Sequence, residues 1–408
     1  MALVVLGVIL FGLAIAALAL WVMGLFLFGA LPGTLTPAAP NANGGSEGWL
    51  GLLKVALTVS AGVGGAVALT VAYRKQRLAE RHEPRQVAEE QRAAAASKRE
   101  AEKSCLDQYR AAVEQLAHAN STVRLAGVYA LANLADAWMA RRQQCVDVLC
   151  AHVRTPWDSN PDTQSGESEV RSTILRVIGA HLRDDKRPPG YESWSELDLD
   201  LSGGDLNGLD WSECVIGKIN FRMAKFRGGA WFSRSTILGT AEFINASFDE
   251  DAVFSDVVFN SGAIFADATF AKDARFNGTT FHDDALFPEV AFNGGAWFHE
   301  ATFAGNTDFQ RANFAASVIF DRVDFTGEAR FDGVNFEGEA RFHGATFADF
   351  TLFSGATFHS VAWFAGAAFG EHEPDLEQAN FAPGAQLIDA GSDYAAPSPY
   401  EGVAGLPD

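Results

Sequence analysis

Phenylalanine recurs at every eleventh residue of the C-terminal half, and few folds can absorb so strict a ladder. The first series runs Phe221, Phe232, Phe243 and onward at the same step to Phe364 without a miss. A second runs from Phe226 to Phe369 and is broken only by Ile237. Together they hold 27 of the 32 phenylalanines, spaced alternately five and six residues apart. Self-similarity at a fixed period predicts a repeat array. Two residues before most of these rings stands a small or β-branched residue: Ala274 before Phe276, Ala296 before Phe298, Ala312 before Phe314, Val334 before Phe336. A period of two places both members of a pair on one side of a short strand. One large and one small residue per face then fill a narrow interior.

Stretches such as "ANF", "ATFHS" and "ARFDG" resemble the pentapeptide-repeat family, whose unit is a small residue, a variable one, a central Leu or Phe, then two more. The opening "LDLSGGDLNGLDW" matches as well, with Leu201, Leu206, Trp211, Ile216 and Phe221 at steps of five. The resemblance implies an all-β, right-handed quadrilateral parallel β-helix over residues 196–383, with one repeat on each face. This chain departs from the pattern by adding one residue to every second repeat, so a coil takes 22 residues instead of 20. Gly falls near the addition in "FRGGAWF", "FTGEARF" and "FEGEARF", where it would supply the positive φ of a widened corner. Phe276, Phe298 and Phe320 would form one column about 4.8 Å apart. A two-faced coil of eleven residues is the alternative, about 75 Å long against about 38 Å.

The N-terminal third reads differently. Residues 2–28 carry no charge, more than the roughly 20 residues a membrane span needs. A second apolar stretch, 49–73, contains only Lys54. Two transmembrane helices, 1–30 and 49–73, are expected, joined by an external loop over 31–48. Arg74, Lys75, Arg77, Arg81 and Arg85 follow the second. The positive-inside rule then makes the chain a multi-pass cell-membrane protein with its C-terminal domain cytoplasmic and the lipid bilayer as one partner. A cleaved signal peptide is the competing reading of the first span.

Residues 74–104 are a polar stalk of strong helix formers, with Pro84 expected to interrupt or kink it. Amphipathic helices are expected over 105–118, with Tyr109, Val113 and Leu116 on one face, and over 121–139, with Leu125, Val128, Leu131 and Leu134. Asn120 and Ser121 stand where an N-cap would. Two more helices are expected over 141–153 and 168–183. "VRLAGVYALANLADAW" resembles a HEAT-like helical pair, which implies a small α-helical domain over 105–185. One such unit cannot bury both faces alone, so it should pack on the solenoid's end or on another copy. The whole resembles a membrane-anchored bacterial pentapeptide-repeat protein with a HEAT-like spacer. The tail, 384–408, is expected to be disordered.

Chemistry is sparse in this sequence. Cys105, Cys145, Cys150 and Cys214 form no disulfide framework and fit reduced thiols. Cys145, Cys150 and His152 lack zinc spacing and a fourth ligand, so no metal is expected and the cysteines read as buried helix positions. Asp249, Glu250 and Asp251, or Asp283 and Asp284, lack a calcium-binding loop and read as a solvated acidic face. His282, His299, His343 and His359 fall at varying register positions. No catalytic set and no cofactor site emerges, and a non-enzymatic protein is expected.

Function is then left to the outer faces. The residues just before Phe on one face are Trp231, Val253, Arg275, Trp297, Ile319, Arg341 and Trp363. This aromatic, aliphatic and cationic stripe is the candidate interaction site, with Arg275 on Trp297 and Arg341 on Trp363 as cation–π pairs. A membrane-tethered interaction scaffold, binding a protein partner or a second copy, is the first reading. Residues 196–383 hold 29 acidic against 11 basic residues, a net −18, which disfavours direct nucleic-acid binding. The alternative comes from the resemblance: some pentapeptide-repeat proteins mimic DNA and modulate DNA gyrase.

Overall fold

A computed structural model describes residues 45–156, 161–183, 190, 192–372, 374–376, 378–383, 385 and 387–388, together with 10–12, 14–15, 17–18 and 21–22. Two compact units divide the chain, Met1–Ala101 and Glu102–Asp408. Preceding the strands, with their bounds fully described, are the α-helices α1 (Gly45–Leu116), α2 (Ser121–Ala137), α3 (Arg142–Arg154) and α4 (Pro161–Leu182).

Among the described residues no helix is long and apolar enough to cross a membrane. The expected two-span cell-membrane protein is therefore corrected. Residues 49–73 are the start of the 72-residue α1, not a separate apolar span. Gly51, Gly62, Gly64 and Gly65 thin the apolar surface there, and Thr58 and Thr70 return their hydroxyls to the carbonyls of Lys54 and Ala66. The helix runs on into Arg74, Lys75 and Arg77, so these cations are part of it and no longer mark a membrane boundary. It also continues through Pro84, where an interruption or a kink was expected, without being interrupted. The first expected span, the loop after it up to residue 44, and most of the tail lie outside the described residues.

The helices of the second unit form because each offers one apolar face. Asn120 caps α2, its side-chain oxygen accepting from the Thr122 N–H at 2.8 Å and satisfying a donor the helix cannot. Val128, Leu131 and Leu134 are buried, with Tyr109, Val113 and Leu125 packed against them. From α3 come Cys145, Val146, Leu149, Cys150 and Val153, and from α4 Val170, Ile174 and Ile178. A HEAT-type unit stacks on further copies of itself. Here α3 and α4 close on the first coil of the solenoid, and the HEAT-like resemblance is not confirmed.

That closure is specific. Trp211, buried at the solenoid's start, donates its indole N–H to the Leu175 carbonyl at 3.0 Å. Arg183 donates to the carbonyls of Ser212 and Asp210. Gln143 bonds both backbone groups of Asp198, donating to its carbonyl at 2.7 Å and accepting from its N–H at 3.1 Å. An open strand edge invites pairing with another chain, and the Gln143 amide occupies this one as a preceding coil would.

From Asp198 the chain winds into a parallel β-solenoid of four sheets with eight or nine two- to three-residue strands each, about eight turns. The first face begins at Asp198–Asp200, the second at Asp205–Leu206, the third at Leu209–Asp210 and the fourth at Val215–Ile216. Leu199 lies beside Ile219, Leu209 beside Ala230 and Ile219 beside Ala241, steps of 20, 21 and 22 residues. One ordinary coil thus passes into the widened ones, which hold a 22-residue step until the last turn, where Phe358 lies beside Phe381 and Trp363 beside Ile388. The two-faced coil of eleven residues is excluded.

Of the 27 phenylalanines in register, all but the partly buried Phe369 are buried. Phe276, Phe298 and Phe320 stack at 4.9 Å per step. Columns of the first and third faces meet edge on, as where Phe287 approaches Phe298 at 5.9 Å and 87°. Both geometries suit the ring quadrupole. Buried Ala, Val and Thr at the alternating inward positions leave the rings their room.

The corners differ from expectation. Two residues after each first-series Phe the backbone is left-handed: Met223, Arg234 and Asn245 have φ of 57°, 57° and 56°, and Gly333 and Gly344 hold the same columns further on. The Phe221 carbonyl accepts from the Ala224 N–H at 3.0 Å across this turn. The widened corners follow the second series, and their glycines, Gly228, Gly294, Gly327 and Gly338, are not among the positive-φ residues. Crowding selects them instead. A Cβ on Gly338 would lie 2.5 Å from the Ala316 carbonyl carbon, and one on Gly327 would lie 2.7 Å from the Gly305 oxygen. The extra residue presses each coil onto the one before it.

Candidate interaction surface

The alternation of a strand sends the residue before each inward Phe outward. On the third face the parallel register aligns these residues in one file: Trp231, Val253, Arg275, Trp297, Ile319, Arg341 and Trp363 are successive cross-strand partners. Room for the indoles is made locally. A Cβ on Gly229 would lie 2.3 Å from the Trp231 ring, and one on Gly295 would lie 3.3 Å from the Trp297 ring. In each "GGAW" the first glycine therefore admits the neighbouring coil and the second admits the indole.

The file is graded in exposure. Trp231 is 41% exposed, Val253, Arg275 and Trp297 are half-buried, and Ile319, Arg341 and Trp363 fall to 8%, 6% and 7%. Arg275 lies over the Trp297 ring at 4.9 Å, a cation–π contact, and also reaches Asp251 and Asp273 at 3.4 and 3.6 Å. Arg341 donates to the buried Asp321 at 2.7 Å. The accessible part of the stripe is therefore its N-terminal half.

Ion pairs tie the coils along the other columns. Arg227 meets Asp205, Arg234 meets Glu213 and Arg322 meets Glu300, each at 2.8 Å, and Arg311 meets Glu289. With Arg222 on Glu242 and Arg330 between Glu328 and Asp332, every arginine of the solenoid has a carboxylate partner. Exposed pairs of this kind contribute little singly. Their effect is to leave the remaining acids uncompensated, Asp249, Glu250, Asp283 and Asp284 among them.

The other sequence candidates separate in space. All four cysteines are free. Burial pushes the Cys145 thiol up to about 11 and those of Cys150 and Cys214 up to about 12. Among the described residues no three His, Cys, Asp or Glu side chains are placed to share a metal ion. His152 instead lies 3.1 Å from Glu167, which also meets Arg171 at 2.8 Å and Arg124 at 3.4 Å. Burial opposes the Glu167 charge, but the bonds from His152 and Arg171 prevail and hold its carboxyl down at about 2. This junction joins α2, α3 and α4, and its members are too far apart in sequence for any motif to show it.

Residues 211–372 match the family model described as pentapeptide repeats (9 copies), in overlapping stretches that include 211–258, 254–302, 298–346 and 331–372. No curated protein and no solved structure matches the chain. The model's repeats coincide with the four-sheet solenoid, its inward rings and its outward file, and residues 211–372 are thus a pentapeptide-repeat array with one repeat on each face and every second repeat one residue longer.

Proposed function

We propose that this protein is a non-catalytic interaction scaffold whose binding face is the outer file of the third sheet. One observation carries the reading: Trp231, Val253, Arg275 and Trp297 stand in unbroken register as an aromatic, aliphatic and cationic strip on a surface otherwise dominated by acids. Large rings held by their own backbone lose little entropy on binding, and Trp and Arg supply much of the energy at protein interfaces. A contiguous apolar strip rimmed by charge suits a protein partner or a second copy of the chain.

A photo-crosslinking residue at Val253, with a matched one at Ser247 on the second face, tests this in full-length protein. The reading expects an adduct from Val253 that is lost in a Trp231→Ser, Trp297→Ser variant and is not formed from Ser247. Equal adducts from both faces, surviving the double substitution, would remove the stripe from consideration.

A second reading rests on charge. A net −18 over residues 196–383, spread along about 38 Å, is one charge per about 2 Å, near duplex DNA's one per about 1.7 Å. DNA mimicry directed at gyrase would appear as inhibition in a supercoiling assay. The aromatic strip has no part in such mimicry, and the scaffold reading is preferred for that reason.

A further inference from the structure

An open-mouthed cavity of about 520 Å³ lies where the helical cap meets the first two coils. This is within the usual size of small-molecule sites. Ser168 and Ser172, one turn apart on α4, line one wall, and Asn207, Lys225 and Arg227 of the solenoid line the other.

The chemistry of the walls is one-sided. The register sets Lys225 beside Asp205, but Arg227 takes that carboxylate, its Nε donating to both oxygens at 2.8 Å. Lys225 is left without an ion-pair partner, and the terminal nitrogens of Arg227 without a hydrogen-bond acceptor. The hydroxyls of Ser168 and Ser172 and the side-chain amide of Asn207 make no hydrogen bond either. The acceptors nearby are engaged: Arg171, a buried residue of the same wall, donates to the carbonyls of Val153 and Thr155 and to Glu167. The cavity wall therefore holds three cations, Arg171, Lys225 and Arg227, against one carboxylate, Asp205, which Arg227 already engages, with the Ser168 and Ser172 hydroxyls and the Asn207 amide free to donate.

We propose that this cavity binds a small ligand through a phosphate group. Phosphate brings several acceptor oxygens and a compact negative charge, the complement of Lys, Arg and hydroxyl donors converging from two walls. The site is independent of the aromatic strip, and it needs both the cap and the solenoid to exist.

Calorimetric titration of the full-length chain tests it, with inorganic phosphate and glycerol 3-phosphate as probes and glycerol as control. Saturable binding in the millimolar range or tighter is expected for at least one phosphate probe. Tighter binding of the ester identifies a phosphorylated metabolite as the ligand, and equal binding identifies the free anion. Lys225→Gln should weaken binding roughly tenfold and Ser172→Ala roughly threefold. Both replaced groups lack partners in the fold, so the unfolding midpoint should not move. No saturation with either phosphate probe, or unchanged affinity in Lys225→Gln, would overturn the assignment.

Discussion

Phe298 stacks on Phe276 with ring centroids 4.9 Å apart and planes 4° from parallel. The next ring above, Phe320, repeats the distance at 13°, so Phe298 is held between two parallel neighbours and closed in by Phe287 and Phe309 edge on. Truncating it leaves a void that neither neighbour can fill without leaving its own column. Phe298→Ala should destabilise the solenoid by about 3 to 5 kcal/mol. Denaturant unfolding followed by circular dichroism checks this, and an unmoved midpoint would contradict the packing.

The left-handed corners store strain wherever the residue is not glycine. Met223 has φ 57° and is 61% exposed, so its side chain contributes little packing in return. The left-handed region costs an L-residue about 1 to 2 kcal/mol, partly offset by the greater freedom glycine has when unfolded. Met223→Gly should therefore raise stability by about 0.5 to 1 kcal/mol. Gly333→Ala, at φ 65°, should lower it by a similar amount. The two shifts in unfolding midpoint should have opposite signs.

Thiol reactivity should report the cap directly. The thiolate is the reactive form, and burial holds Cys145, Cys150 and Cys214 at about 11, 12 and 12. A maleimide at about pH 8 should modify the partly exposed Cys105 alone in the native protein, and all four after denaturation. Mass spectrometry counts the adducts. Prompt labelling of all four in native protein would mean that α3 does not pack as described.

Acid should loosen the helical cap through Glu167. Its carboxyl is held at about 2 against an ordinary 4.5, so the folded state favours the charged form. The stabilisation is complete above pH 4.5 and is lost as pH falls towards 2. Glu167→Gln should lower stability at neutral pH by on the order of 1 to 3 kcal/mol and flatten the profile across that window. An unchanged acid limb in this variant would show that the charge is not what joins the three helices.

The solenoid follows from the periodicity of the chain. A step of eleven with one large and one small inward residue can be satisfied only where successive turns lie in register, because each ring needs an identical ring above and below. It also located the outward file, since alternation along a strand is local and Trp231, Arg275 and Trp297 inherit their side from the adjacent Phe. The widened corner was legible as an extra residue, but its cause was not. Positive φ and close approach both select glycine, and only the neighbouring coil, pressing on Gly327 and Gly338, distinguishes them.

Other features depend on contacts between unlike elements. The apolar N-terminal composition suggested spans, yet residues 49–73 belong to one long helix with Gly and Thr through them and charge after them. Exposure along the stripe was also unreadable. Ile319 and Trp363 look like Trp231 in the repeat but are nearly covered, and Arg341 turns to Asp321 instead of outward. The junction at Glu167 arises where three helices meet and the cavity at Lys225 where helices meet coils, from residues scattered between 124 and 227. A periodic sequence fixes what each repeat does to the next, because those contacts recur at constant spacing. Contacts between unlike elements recur nowhere in the sequence, and only the folded chain brings them together.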